Sequence, residues 1–188
     1  MTDTSLHFVG FAGSLRAAAW SAALLTEIAA LSDAHARITT FPLHDIPLYN
    51  ADLEPAHGQA PASVLEFRQA IAAADGLVIV APEYNYGMSG VLKNALDWAS
   101  RPAYKSVLAG KPVLIVSNSP GVLGGVRAQQ QLRQTLNATL SRVVVGPDIA
   151  VAHVASKLSD GKLTDEHTIA AIKRGLEGLA AEVARARD

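Results

Sequence analysis

Gly76-Leu77-Val78-Ile79-Val80-Ala81-Pro82-Glu83-Tyr84-Asn85-Tyr86-Gly87 passes from an unbroken apolar run into a knot of polar and aromatic residues. The run from Leu77 to Ala81 predicts a strand buried on both faces, as in a parallel sheet. The residues after it predict a rigid loop, and Ser89 to Trp98 has the spacing of a helix leaving that loop. In an open α/β sheet, ligands bind just outside such carboxyl strand ends. Pro82 fixes one backbone angle, and Gly87 and Gly90 allow a close backbone approach. The segment therefore predicts a surface shaped for a flat, polar-edged ligand. Its plain alternative is an ordinary loop ahead of a capped helix.

Outward from this stretch, strands and helices alternate. Leu6 to Phe11 predicts a first strand that turns at Ala12-Gly13-Ser14, and Ala18 to Leu31, rich in Ala and Leu, predicts a helix. Arg37 to Phe41 alternates like a half-exposed edge strand. Pro42 to Pro61 holds four prolines and His57-Gly58, and predicts an irregular excursion, a functional cover or an interface arm. Ser63 to Ala74 predicts a helix, Pro112 to Val116 a buried strand, and Gly125 to Leu140 a helix with Val126, Leu132, Leu136 and Leu140 inward. Val143 to Val145 and Ile149 to Val151 predict a strand broken at Gly146-Pro147. Asp160-Gly161 marks a turn, and from Thr164 a last helix carries Ile169, Ile172, Leu176, Leu179 and Val183 on one face. The alternation predicts an α/β fold: a five-stranded parallel sheet in the flavodoxin-like order 2-1-3-4-5, with helices on both faces. No repeat or second domain interrupts it, so residues 1–188 are expected to form one domain.

Composition narrows the function. Of 188 residues, 49% are hydrophobic and 18% charged, enough for a large core. Aromatics are only 5%, which leaves Ala, Val, Leu and Ile to build that core. The formal net charge of −1, without a basic stripe, argues against nucleic acid. The absence of cysteine excludes disulfides, thiolate catalysis and thiolate metal sites. No signal-peptide pattern and no membrane-length apolar run is present, so a soluble cytoplasmic protein is expected.

Three loops are candidates to converge. In Gly13-Ser14-Leu15-Arg16-Ala17-Ala18-Ala19-Trp20-Ser21, the start of the helix offers unpaired amides and the positive end of its dipole to an anion. Ser14 and Ser21 add hydroxyls and Arg16 a fixed charge, a set suited to a phosphate monoester; the alternative is a serine cap beside a solvated arginine. The pattern is neither the dinucleotide nor the nucleoside-triphosphate glycine motif. In the second loop, Pro82 to Tyr86 offer backbone groups and two tyrosine rings to a ring system. Glu83 reads first as a carboxylate capping the next turn, and Asn85 either bonds a ring edge or its own backbone. The third loop, Ser117-Asn118-Ser119-Pro120-Gly121-Val122-Leu123-Gly124-Gly125, borders the same crevice, or is simply a strand–helix connector.

Other polar residues carry less. The six histidines lack metal-ligand spacing, no G-x-S-x-G elbow supports a hydrolase triad, and Lys93 and Asp97 predict a surface pair. His44-Asp45 reads as a turn, and Trp98 as packing at an interface.

Taken in order, G-S-L-R at Gly13–Arg16, P-E-Y-N at Pro82–Asn85, L-K-N-A-x-D-W at Leu92–Trp98 and S-x-G-x-x-G-G-x-R at Ser119–Arg127 resemble the NADPH-dependent FMN reductase family. The likeness is to its branch of bacterial quinone and chromate reductases and azoreductases, and runs from Val9 to about Leu136, with Pro82 to Arg101 the specific block. The resemblance implies non-covalent FMN and NADPH or NADH as hydride donor. It implies that Ser14, Arg16 and Ser21 hold the FMN phosphate, that Pro82, Glu83, Tyr84, Asn85 and Tyr86 line the ring and ribityl edge, and that Ser119 closes the other side. Gly121, Gly124 and Gly125 would keep the flavin face open, and the helix with Lys93, Asn94 and Trp98 would form a dimer surface, with a tetramer as the larger alternative. The implied activity passes electrons to small-molecule acceptors such as quinones, chromate, azo or nitro compounds by a ping-pong route. The flavin carries the chemistry, so no catalytic side chain and no metal is expected. Ala19 and Ser21 depart from the family's serine and asparagine, and Gly87-Met88-Ser89-Gly90 replaces its serine-x-proline-glycine. A non-enzymatic electron carrier is the competing class, against which the near-neutral charge argues. A sensor that has lost its flavin, suggested by Ala19, is a third.

Overall fold

A computed structural model describes residues 5–32, 36–54 and 60–187. The elements are β1 (Leu6–Ala12), α1 (Trp20–Leu31), β2 (Ala36–Thr40), α2 (Ala62–Ala73), β3 (Gly76–Tyr84), β4 (Gly87–Met88), α3 (Gly90–Ala99) and β5 (Pro112–Asn118). They continue with α4 (Val126–Ala138), β6 (Arg142–Val143), β7 (Ile149–Val151), α5 (Val154–Lys157), β8 (Leu158–Ser159), β9 (Lys162–Leu163) and α6 (Glu166–Arg187). A short 3₁₀ turn covers Ala51–Leu53. His35, His57 and Gly58 lie outside the described residues.

The main sheet runs β2-β1-β3-β5-β6, with β7 also on β5 and β4 on β3. This keeps the positions 2-1-3-4-5 of a flavodoxin-like sheet. The count reaches seven because the fifth position is shared by two short pieces, β6 and β7, and β4 is added at a strand end. All pairings among β1, β2, β3, β5, β6 and β7 are parallel. Alternate residues of the inner strands enter opposite cores. Val9, Phe11, Leu77, Ile79, Val113 and Ile115 pack under α2, α3 and α4. Phe8, Val78, Val80, Leu114 and Val116 pack under α1 and α6. Burial on both faces is why these segments read as unbroken apolar runs.

Three sequence expectations are corrected. β3 does not stop at Ala81; it runs to Tyr84 and folds back as β4, with Glu83 opposite Met88 and Tyr84 opposite Gly87. Asn85 and Tyr86 make that turn at φ of 49° and 66°, left-handed geometry that suits the twist of a two-residue hairpin. Leu140 does not face inward: α4 ends at Ala138, and Leu140 reverses the chain at φ 62° with its side chain exposed. Val126 is only half-buried. Trp98, expected to pack at an interface, is instead buried within the chain. Asn94 accepts from the Tyr49 amide (2.7 Å) and donates to the Pro47 carbonyl (2.8 Å), which the Trp98 indole N–H also reaches (2.8 Å). Trp98 is wholly buried, with Tyr49 edge-on at 5.0 Å. The proline-rich excursion is thus strapped to α3. Lys93 and Asp97 do form the expected pair, at 2.7 Å.

Asp165 caps α6. Its carboxylate accepts from the Thr168 hydroxyl and amide and pairs with Lys157, which together hold its pKa down from 3.8 to about 2. Because the folded value lies below the unfolded one, the stability Asp165 contributes is present above pH 4 and is lost as pH falls toward 2. Asp165→Ala should therefore lower the thermal midpoint at pH 6 and differ little from the parent at pH 2, as read by circular dichroism melts. Gly124 tests the third loop. It sits at φ +59°, and an added Cβ would lie 2.7 Å from the Ala150 backbone. Gly124→Ala should cost about 2–4 kcal/mol in urea unfolding, whereas Gly146→Ala, whose Cβ would meet open space, should stay within about 0.5 kcal/mol.

Candidate functional site

The parallel register brings the carboxyl ends of β1, β3 and β5 to one edge, with Ala12 beside Val80 and Pro82 beside Asn118. A crevice of about 360 Å³ opens there, within the roughly 300–1,000 Å³ common for small-molecule sites. The β1–α1 loop contributes Ser14, Arg16, Ala19, Trp20 and Ser21; β3 contributes Pro82, Glu83 and Tyr84; the exit of β5 contributes Asn118 and Pro120. Gly13 makes the convergence possible. Any Cβ there would stand 2.9 Å from both the Pro82 ring and the Ser89 hydroxyl.

The first loop is built to leave donors unused. α1 begins after Ala19, which supplies no side-chain cap; the Ala22 and Ala23 amides donate to the Ala19 carbonyl, and those of Trp20 and Ser21 remain for solvent or a ligand. Ser21 is 1% exposed, and its hydroxyl has no hydrogen-bond partner. Ser14 Oγ lies 3.3 Å from the Tyr84 hydroxyl and 3.4 Å from the Arg16 amide, tying the first loop to β3. The Arg16 guanidinium rests over the Trp20 ring at 5.1 Å.

The second loop is mounted on α4. The Glu83 carboxylate accepts from the Arg127 amide at 3.0 Å and pairs with its guanidinium at 3.2 Å, so it caps α4 and not the turn that follows it in sequence. The guanidinium also lies 4.2 Å from the centre of the Tyr86 ring, and Gln131 Oε1 accepts from the Met88 amide at 2.7 Å. Tyr84 and Tyr86 stay exposed.

Of the residues expected to bind a cofactor, Ser14, Arg16, Ser21, Pro82, Glu83 and Tyr84 converge on the crevice. Asn85 and Tyr86 occupy the hairpin tip beyond it, and Ser119 and Gly121 flank Pro120 without lining it. Ser119 Oγ instead donates to the Gly121 carbonyl at 3.2 Å. Gly124 and Gly125 do not hold a face open; both are buried, packed against β7 and β5. Ala19, Trp20, Asn118 and Pro120 also line the crevice; they belong to the first and third candidate loops, but the sequence singles out none of them as a binding residue. For Asn118 a signal existed: continuing the two-residue alternation of β5 past Val116 places it on the same side as Leu114 and Val116. Among the described residues, no three His, Asp or Glu side chains converge as metal ligands, and no helix is long and apolar enough to cross a membrane.

Residues 6–156 match the NADPH-dependent FMN reductase family. Over its full length the chain is 39% identical to an NAD(P)H-dependent FMN reductase of Pseudomonas aeruginosa, itself covered completely. It is 39% identical over 167 residues to a quinone reductase of Escherichia coli K12, covering 87% of this chain and 88% of that one. It is 38% identical over 173 residues to a 2-hydroxy-1,4-benzoquinone reductase of a Burkholderia species, covering 91% and 92%. Among solved structures, the NAD(P)H:(acceptor) oxidoreductase FerB of Paracoccus denitrificans superposes with a TM-score of 0.86 at 29% identity, covering 96% of this chain and 98% of FerB. The chain belongs to the NADPH-dependent FMN reductase family. Membership makes it a flavoenzyme with FMN as cofactor and a reduced nicotinamide as electron donor.

The residues present fit that cofactor. Two buried, unpartnered polar groups (the Ser21 hydroxyl and the Asn118 amide nitrogen), an uncapped helix start and one guanidinium suit a phosphorylated polyol tail. The hairpin mount is open to direct test. In Gln131→Ala the Met88 amide should lose hydrogen-exchange protection by roughly five- to tenfold, the loss of about one hydrogen bond, while Val80 in the buried strand keeps its own.

Proposed function

We propose that the chain, residues 1–188 as one FMN-binding domain, is an NAD(P)H:quinone oxidoreductase acting in the cytoplasm. The observation that carries this reading is the crevice at the ends of β1, β3 and β5, where unpaired donors gather in a chain of this family. The balanced reaction is NAD(P)H plus quinone plus a proton giving NAD(P)⁺ plus hydroquinone. FMN held there would supply the two-electron relay between the nicotinamide and the acceptor.

Ser14, Arg16, Ser21 and the first amides of α1 grip the phosphate through charge-assisted and dipolar contacts. Pro82, Glu83 and Tyr84 set the ring and ribityl edge, with Asn85 and Tyr86 beyond them on the hairpin. Glu83 acts through the mount it shares with Arg127. Ser119 and Gly121 border the other side. Donor and acceptor use one opening in turn, a ping-pong order, and the acceptor range takes in chromate, azo and nitro compounds beside quinones. Protons come from water, so no side chain serves as acid or base. The quinone reductases named above, at 38–39% identity over nearly the whole chain, support the acceptor class. The working form is a homodimer, with a tetramer as the larger alternative.

A spectrum of the purified protein, followed by anaerobic titration with NADH and then NADPH, tests the reading. A flavin band that bleaches with either nucleotide and returns on adding a benzoquinone is the expected result. No flavin uptake from excess FMN would overturn it. In the same assay Arg16→Ala should raise the FMN dissociation constant about tenfold or more. Lys93→Ala, which only breaks a surface pair, should change it less than twofold. Equal constants would remove Arg16 from the phosphate site.

A further inference from the structure

We infer that Asn118, the last residue of β5, directly anchors the polar tail of the bound flavin by donating its side-chain amide to a tail oxygen. The inference rests on the FMN-binding reading above and adds to it a residue outside the family motifs found in the sequence.

Asn118 is 2% exposed, lines the crevice, and its Nδ2 has no hydrogen-bond partner. Its position is set by the sheet. It stands beside Pro82 of β3 on one side and Val151 of β7 on the other. Leu114 and Val116, four and two residues earlier on the strand, pack in the core under α1 and α6. Asn118 continues that face to the place where α1 begins. Ser21 sits in the same crevice at the start of α1, 1% exposed, with its hydroxyl equally unpartnered. Two buried polar groups without partners, on residues that line one crevice, are a costly arrangement, and a single polar ligand would complete both.

The neighbours of Asn118 show what a bracing role would look like. Ser117 Oγ donates to the Gly124 carbonyl at 2.7 Å and accepts from Gln129 at 3.1 Å. Ser119 Oγ donates to the Gly121 carbonyl, and its amide donates to the Val151 carbonyl at 3.2 Å. The loop is thus held by the residues on either side, and the amide nitrogen of Asn118 is not spent on it. The acceptor it would meet is either a phosphoryl or a ribityl oxygen, and comparison of FMN with riboflavin separates the two.

The test uses the full chain stripped of flavin, with Asn118→Leu (similar size, no polar group) and Asn118→Asp (same shape, negative charge). Dissociation constants for FMN and riboflavin come from flavin fluorescence, and thermal midpoints are taken without ligand. The expected result is an FMN constant raised about tenfold or more in both variants, with the unliganded midpoint of Asn118→Leu equal to or above the parent because an open polar group has been removed. Riboflavin weakened by the same factor assigns the ribityl oxygen; riboflavin unchanged assigns the phosphoryl oxygen. FMN bound within twofold of the parent by both variants would overturn the inference and leave the FMN reading intact. So would a drop in unliganded midpoint in both, which makes Asn118 part of the fold. A parent protein that takes up no FMN would overturn both readings at once.

Discussion

The parallel register of β1, β3 and β5 is the constraint on which the site depends. Each strand is buried on both faces, so its alternate residues are committed to two different cores. A slip of one residue would exchange those faces and drive Ser117 and Asn118 into the wrong layers. The same register aligns three strand ends at one edge, and helices leaving from neighbouring ends in opposite directions open the crevice. Nothing in the crevice needs to be stabilised for its own sake. The hydrophobic cores hold the strands, and the strands hold the donors.

The hairpin at the end of β3 shows how a strained segment is kept. Tyr86 sits at φ 66°, an uncommon conformation for an aromatic residue, and its ring is exposed. Four contacts from α4 hold the segment: the Arg127 amide on Glu83, its guanidinium on Glu83, the same guanidinium against the Tyr86 ring, and Gln131 on the Met88 amide. Residues that hold the loop and residues that present it to a ligand are therefore different. Glu83 belongs to the first group by its bonds even though it lies in the crevice wall.

At the other wall stand Ala19 and Ser21, where the family resemblance implies a serine and an asparagine. The structure answers with burial. Ser21 lies almost fully enclosed, and Asn118 reaches the same crevice from β5. Donors in such a low-dielectric setting interact more strongly than exposed ones.

The sequence alone determined the alternation of strands and helices, the sheet order, the break in the fifth strand and six of the residues that meet in the crevice. These follow from local signals, apolar runs, periodicity and turn residues, which act over a few neighbours. Only the tertiary structure decided the rest. Trp98 reads as packing at an interface until the carbonyl of Pro47, 51 residues away, accepts its indole N–H together with the side-chain amide of Asn94, 47 residues from Pro47. Glu83 caps a helix that begins more than forty positions later, with Arg127 44 residues on. Asn118 joins the site because β5 extends two residues past its apolar run, paired with β3 and β7. Periodicity tells a side chain which face it is on; which segment arrives to cover that face, or leaves it open to a ligand, is settled by packing between parts of the chain that share no local signal.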